Sequence, residues 1–99
     1  MGDVKDITIY VSIGNSDDKL SQADWAQYCR SVTAVIYGLA SHIHGEWYSL
    51  PNEPFQNAAI CFVIREDWTP AVKESLKERR KRYKQDSIAW AVVQDTEFI

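Results

Sequence analysis

Strict alternation marks the first element. Over residues 6–13, Ile7, Ile9, Val11 and Ile13 fall on one side of an extended chain, and Thr8, Tyr10 and Ser12 on the other. A period of two over that length predicts a half-buried strand. The Gly-Asn-Ser-Asp-Asp run at residues 14–18 breaks it as a turn. The period then becomes helical. Trp25, Cys29, Val32 and Ile36 recur three or four apart, with Tyr28, Val35 and Leu39 beside them. Ser21 is the expected N-cap and Asp24 its capping-box partner, while Leu20 and Trp25 occupy the two positions of a hydrophobic staple. This helix is expected to end between Gly38 and Ser41.

Residues 42–50 read as a second strand, with Ile43 and Trp47 on one face and His42, His44, Glu46 and Tyr48 on the other. Pro51 and Pro54 make the following segment a loop, because proline supports neither a ladder nor a helix interior. Residues 58–65 are a third strand, apolar on both faces, with Ile60, Phe62 and Ile64 opposite Cys61 and Val63. Such a strand is expected to be covered on both sides. Thr69 and Pro70 predict an N-cap followed by proline at the first helical position. That helix should run to about Tyr83, with Val72, Leu76 and Tyr83 inward. Residues 87–94 form the fourth predicted strand, with Ile88, Trp90 and Val92 on one face and Ala89, Ala91 and Val93 on the other. Thr96, Glu97, Phe98 and Ile99 form an apolar-tipped tail.

The order is βαβ twice, joined by a hairpin. This predicts an α+β, ferredoxin-like βαββαβ two-layer sandwich over residues 1–99 as a single domain: a four-stranded antiparallel sheet with two helices on one face. Ninety-nine residues, 45% hydrophobic, suffice for one core without a metal or disulfide staple.

Charge and cysteine content narrow the function classes. The net charge is −3, which argues against a nucleic-acid partner and is too small for a DNA mimic. Cys29 and Cys61 lie far apart in the sequence and fall on apolar positions, so both read as buried free thiols. The N-terminal run from Met1 has no apolar stretch of the signal-peptide kind, and no apolar run approaches membrane-spanning length. The expected setting is cytoplasmic, with no membrane partner.

Ile9 and Tyr10 with Gly14, the run from Ser21 to Trp25, Gly45-Glu46-Trp47, and Tyr83-Lys84-Gln85-Asp86-Ser87-Ile88 form a recurrent pattern. In these elements, over residues 7–92, the chain resembles a family of small uncharacterised bacterial domains, a domain of unknown function. The resemblance implies the same βαββαβ fold. It brings no catalytic residues.

The residues that could carry chemistry fall into three groups. His42, His44 and Glu46 would share one strand face at about 7 Å spacing, and two histidines with a carboxylate are zinc- or iron-type ligands. Consecutive residues of one strand do not converge on an ion without help, so no metal and no cofactor are expected. Arg79, Arg80, Lys81, Arg82 and Lys84 form a basic block at a helix C-terminus, where cations complement the macrodipole and Glu78 can pair with Arg82. Arg79, Arg80 and Arg82 are its binding candidates, for an acidic partner or a phosphate. Tyr10 and Tyr48, with Ser12, Cys61, Val63, Ala89, Ala91 and Val93, would form an apolar sheet face away from the helices. Phe55 is a candidate recognition side chain in the proline loop, or else folds back over the core. Trp25, Trp47 and Trp90 read as core, and Trp68 as a local cap.

The leading expectation is a small non-enzymatic binding module, a homodimer through the sheet face that engages a protein partner, of the kind found among accessory and phage-borne inhibitor proteins. An alternative is a cofactor-free dimeric ferredoxin-like enzyme, monooxygenase-like, acting on a small aromatic molecule, with His44, Glu46 and Tyr10 as its polar groups. A third is a small-molecule sponge that holds a nucleotide between protomers with Arg and Trp side chains.

Overall fold

In the computed structural model, residues 4–51, 53–94 and 97–99 are described. Residues 1–3, Asn52 and Thr96, which entered the readings of the N-terminus, the proline loop and the tail, lie outside them. The element order is β1 (Asp6–Gly14), α1 (Gln22–Leu39), β2 (His42–Tyr48), β3 (Asn57–Arg65), α2 (Thr69–Arg82) and β4 (Ala89–Val92), with one-turn 3-10 segments before each helix. The strands form one antiparallel sheet in the order β2-β3-β1-β4. This is the ferredoxin-like α+β arrangement the pattern predicts. Among the described residues, no helix is long and apolar enough to cross a membrane.

The core forms where the helices cover the sheet. Ile9, Val11 and Ile13 from β1 and Ile60, Phe62 and Ile64 from β3 meet Trp25, Tyr28, Val32 and Ile36 of α1 and Val72 and Leu76 of α2. Both central strands therefore place their bulkiest aliphatic side chains on one face. Cys29 and Cys61 are buried free thiols. Burial raises both, the Cys29 thiol to about 11, so neither is a nucleophile near neutral pH.

Ser21 caps α1 as expected, its hydroxyl accepting the Asp24 amide at 3.2 Å. At α2 the expectation fails by one position. A 3-10 turn at Glu66–Trp68 runs into the helix and puts Trp68 at the cap position, with Thr69 and Pro70 inside the first turn. The Thr69 hydroxyl is buried without a hydrogen-bond partner. Trp68 is a local cap in position only, with the Arg65 guanidinium 5.1 Å from its ring centre. The fourth strand is shorter than expected, four residues rather than the predicted 87–94.

Tyr28 is the largest fully buried side chain, and its ring packs against Trp25 and Tyr83. Its hydroxyl has no hydrogen-bond partner, and burial raises the phenol to about 12. Removing a buried unsatisfied group relieves its desolvation cost, so Tyr28→Phe is expected to stabilise the protein by about 1 kcal/mol at neutral pH. The raised value carries a pH dependence with a definite sign. The unfolded phenol ionises near 10 and the folded one near 12, so stability is intact below 10 and falls as pH rises toward 12. Urea melts of both proteins at pH 7 and pH 11 check this. A destabilised Tyr28→Phe, or the same alkaline loss in both proteins, contradicts it.

Candidate functional site

One extra residue in β2 decides which side chains meet. The β2–β3 register is His42 to Val63, Ile43 to Phe62, then Gly45 to Cys61 and Glu46 to Ile60, with a bulge between Ile43 and Gly45 that takes up His44. Beyond a bulge the alternation of faces inverts. Trp47, expected on the core face with Ile43, lies on the outer face, half exposed. Tyr48 and Glu46, expected on the outer polar face, turn toward α1. Tyr48 is thereby removed from the sheet-face candidates and Trp47 takes its place.

The outer face is organised by that replacement. Tyr10 and Trp47 stack with ring centres 5.6 Å apart at an interplanar angle of 14°. Gly45, Cys61, Tyr10 and Ala91 form one row across the four strands. A Cβ added at Gly45 would sit 3.1 Å from the Trp47 ring, so the indole lies back over that glycine. The stack thus roofs the row at Cys61, which is 8% exposed although it faces away from the helices. On the β4 side the face is made of small side chains, Ala89 and Ala91, with Ser12 and Ala59 between. Among the described strand residues of this face, charge occurs at one end only, on Asp6 and Arg65, and Arg65 is paired with Asp67 at 3.1 Å.

The roof has a measurable consequence. Trp47→Ala should open Cys61 to solvent and speed its alkylation at least about tenfold while Cys29 stays protected in the core. Mass-spectrometric alkylation rates of the two cysteines check this. Equal Cys61 rates in both proteins would show that Trp47 does not cover it.

On the helix side of β2 the Tyr48 hydroxyl donates to Glu46 Oε2 at 3.1 Å. Glu46 Oε1 is buried without a partner. The Glu46 carboxylate also holds the Tyr37 phenol above its ordinary value, and burial does the same for Tyr48. Next to this cluster lies an open apolar groove of about 710 Å³ between α1 and β2, lined by Trp25, Cys29, Thr33, Tyr37 and Tyr48 among others. Neither residue spacing nor composition marks it, because its β2 wall exists only through the bulge.

The other candidates separate. His42 and His44 meet edge to face at the β2 rim, 4.7 Å between ring centres, while Glu46 faces the helices. Among the described residues no three His, Cys, Asp or Glu side chains gather as a metal site. Tyr10, on the outer face, is likewise apart from Glu46, so the set His44, Glu46 and Tyr10 does not converge. Phe55 is 66% exposed at a positive φ of 54°, and does not fold back over the core. The basic block splits. Arg79 reaches Glu78 at 3.6 Å, in place of the expected Glu78–Arg82 pair. Arg80 turns inward and donates to the Gln85 carbonyl at 3.2 Å and the Asp86 carbonyl at 3.5 Å. Arg82 is exposed. Trp25 and Trp90 pack on the core, as expected.

No family model matches the chain, and no curated protein matches it. Among solved structures it is similar to SnoaB, a cofactor-independent oxygenase from Streptomyces nogalater, with a TM-score of 0.55 over 98% of each chain and 4% sequence identity. At that identity the likeness concerns the fold alone.

Proposed function

We propose that this protein is a non-enzymatic binding module that works as a homodimer, with the outer sheet faces of two chains packed together. The observation that carries this is the outer face, charged at one end only, with the Tyr10–Trp47 stack at one side and alanines at the other. Four strands about 4.8 Å apart and about six residues long give a projected patch of roughly 400 Å². That is the size of the largest apolar patch on an ordinary monomer, and such patches are often functional. Covering one patch on each chain removes roughly 800 Å² from water, about 20 kcal/mol gross. The cost of association is roughly 4–15 kcal/mol, and an area of this size lies below that of standard specific interfaces, so the expected dimer is a weak one, of micromolar affinity.

The face is self-complementary about one axis. A two-fold axis between the sheets, parallel to β1 and β3, lays each aromatic β2 side over the partner's small-residue β4 side. Bulk then meets space twice. Amide shifts recorded on dilution test this. Concentration-dependent changes are expected on the outer-face rows of the four strands and not on α1 or α2. Changes confined to the helices, or none at all, contradict the proposal.

A second reading has one observation in its favour. The α1–β2 groove, with its Glu46–Tyr48 pair, offers an apolar slot and a hydrogen-bonded phenol on a fold similar to that of a cofactor-independent oxygenase. In that reading a small aromatic molecule is the substrate, Tyr48 and Glu46 are the polar groups, and Tyr10 and His44 are not. It requires oxygen uptake stimulated by a small aromatic molecule such as a phenol. Uptake no faster than the buffer blank ends it.

A further inference from the structure

A second groove, on the other side of the molecule, has a different chemistry. It lies between α2 and the chain entering β4, encloses about 310 Å³, and has Leu76, Ile88 and Trp90 as its apolar walls. That volume is at the lower end of small-molecule sites. Lys73, Lys77 and Arg80 also line it, at the i, i+4 and i+7 positions that share one helix face. Among the described residues the one acidic side chain lining it is Asp86, which Lys19 approaches to 4.0 Å.

The groove is thus cationic along one wall and aromatic along the other. The two walls meet where the Lys73 ammonium stands 5.2 Å from the centre of the Trp90 ring. Trp90 also meets Phe62 of the core edge to face, ring centres 6.2 Å apart, which helps to hold the indole in place. Its N–H is buried with no acceptor. The carbonyls of Gln85 and Asp86, in the chain that follows α2, would by themselves disfavour an anion beside them. Arg80 donates to both of these carbonyls and itself lines the groove, so its charge offsets them there.

We propose that the α2–β4 groove binds a small organic anion with a flat aromatic body, an aryl phosphate or aryl carboxylate. The cations take the anionic group and Trp90 with Ile88 takes the ring. A bare inorganic anion uses half of the site, and an aryl cation is repelled by it. The groove opens on the helix side of β4, away from the proposed dimer face, so the inference stands or falls independently of dimerisation.

Phenyl phosphate titrated into nitrogen-15-labelled protein tests it, with inorganic phosphate and 2-phenylethylamine as comparisons. Phenyl phosphate is expected to shift the Trp90 indole N–H together with amides of Lys73, Lys77 and Ile88. It should bind at least about tenfold more tightly than inorganic phosphate, because only it buries apolar surface. Phenylethylamine should leave these signals in place. Lys77→Glu is expected to weaken phenyl phosphate at least about tenfold. Arg82→Glu makes the same change of net charge on an exposed position outside the groove lining, and should weaken it far less. Equal losses in the two variants, shifts spread over the basic block without Trp90, or no shifts at millimolar phenyl phosphate would each overturn the proposal.

Discussion

Ala91→Glu is expected to convert the dimer to a folded monomer. Ala91 is exposed, on the outer face, and in register with Tyr10. In the proposed arrangement each Ala91 lies under the partner's Trp47 side. A glutamate there drives two carboxylates into two aromatic faces, and leaving each charge unpaired in the interface costs about 2–5 kcal/mol per chain. Against an association energy near that of a micromolar complex, about −8 kcal/mol, this is enough to empty the dimer at working concentrations. Glutamate is the sharper choice over arginine, because a guanidinium could settle over Trp47 as a cation–π pair. The protomer should keep its fold, since the side chain points away from the core. Circular dichroism unchanged from wild type, with the sedimentation coefficient of one chain, is the expected pair of results. A variant that stays dimeric would remove Ala91 from the interface.

The second large effect concerns a buried amide that joins the two βα halves. Gln85 is 3% exposed. Its Oε1 accepts the Ser16 amide at 2.7 Å, and its Nε2 donates to the Tyr83 carbonyl at 3.0 Å. Ser16 belongs to the turn after β1, and Tyr83 and Gln85 to the exit from α2. The same junction holds Lys19, whose ammonium donates to the Lys84 carbonyl at 3.1 Å. Gln85→Leu keeps the bulk and strands one N–H and one carbonyl. Each stranded buried group costs about 1–3 kcal/mol, and because both hydrogen bonds are only partly buried a loss of about 2–4 kcal/mol is expected. For a chain of this size that lowers the melting temperature by roughly 10–20 °C. Gln85→Glu retains the acceptor for Ser16 and should recover part of the loss. A change below about 0.5 kcal/mol in urea, the ordinary scatter of surface substitutions, would show that the junction is held by other contacts.

These residues also show what a sequence can and cannot disclose. The core strands are legible because Ile7 to Ile13 alternate without interruption, and so is α1, because Trp25, Cys29, Val32 and Ile36 share one stripe above a capping serine. The topology follows from the order of elements. The site is less legible, for a local reason. An alternation count carried through β2 assigns Trp47 and Tyr48 to the wrong faces, because the bulge that takes up His44 adds one residue to one strand only. Gly45 was the available signal, since a glycine inside a strand often marks a bulge or a close approach. Gln56 and Gln85 leave no comparable trace. Each is a polar residue in a loop, and only the folded chain shows that the backbone around it depends on the amide for its hydrogen bonds. The basic block likewise reads as one feature, whereas the helix turn sends Arg79, Arg80 and Arg82 to three different settings.

Sedimentation equilibrium of the wild-type chain, from below one micromolar to a hundred micromolar, tests the central claim most directly. The account predicts a reversible rise from the mass of one chain to that of two, with a midpoint in the micromolar range. A single-chain mass across the whole range would contradict it.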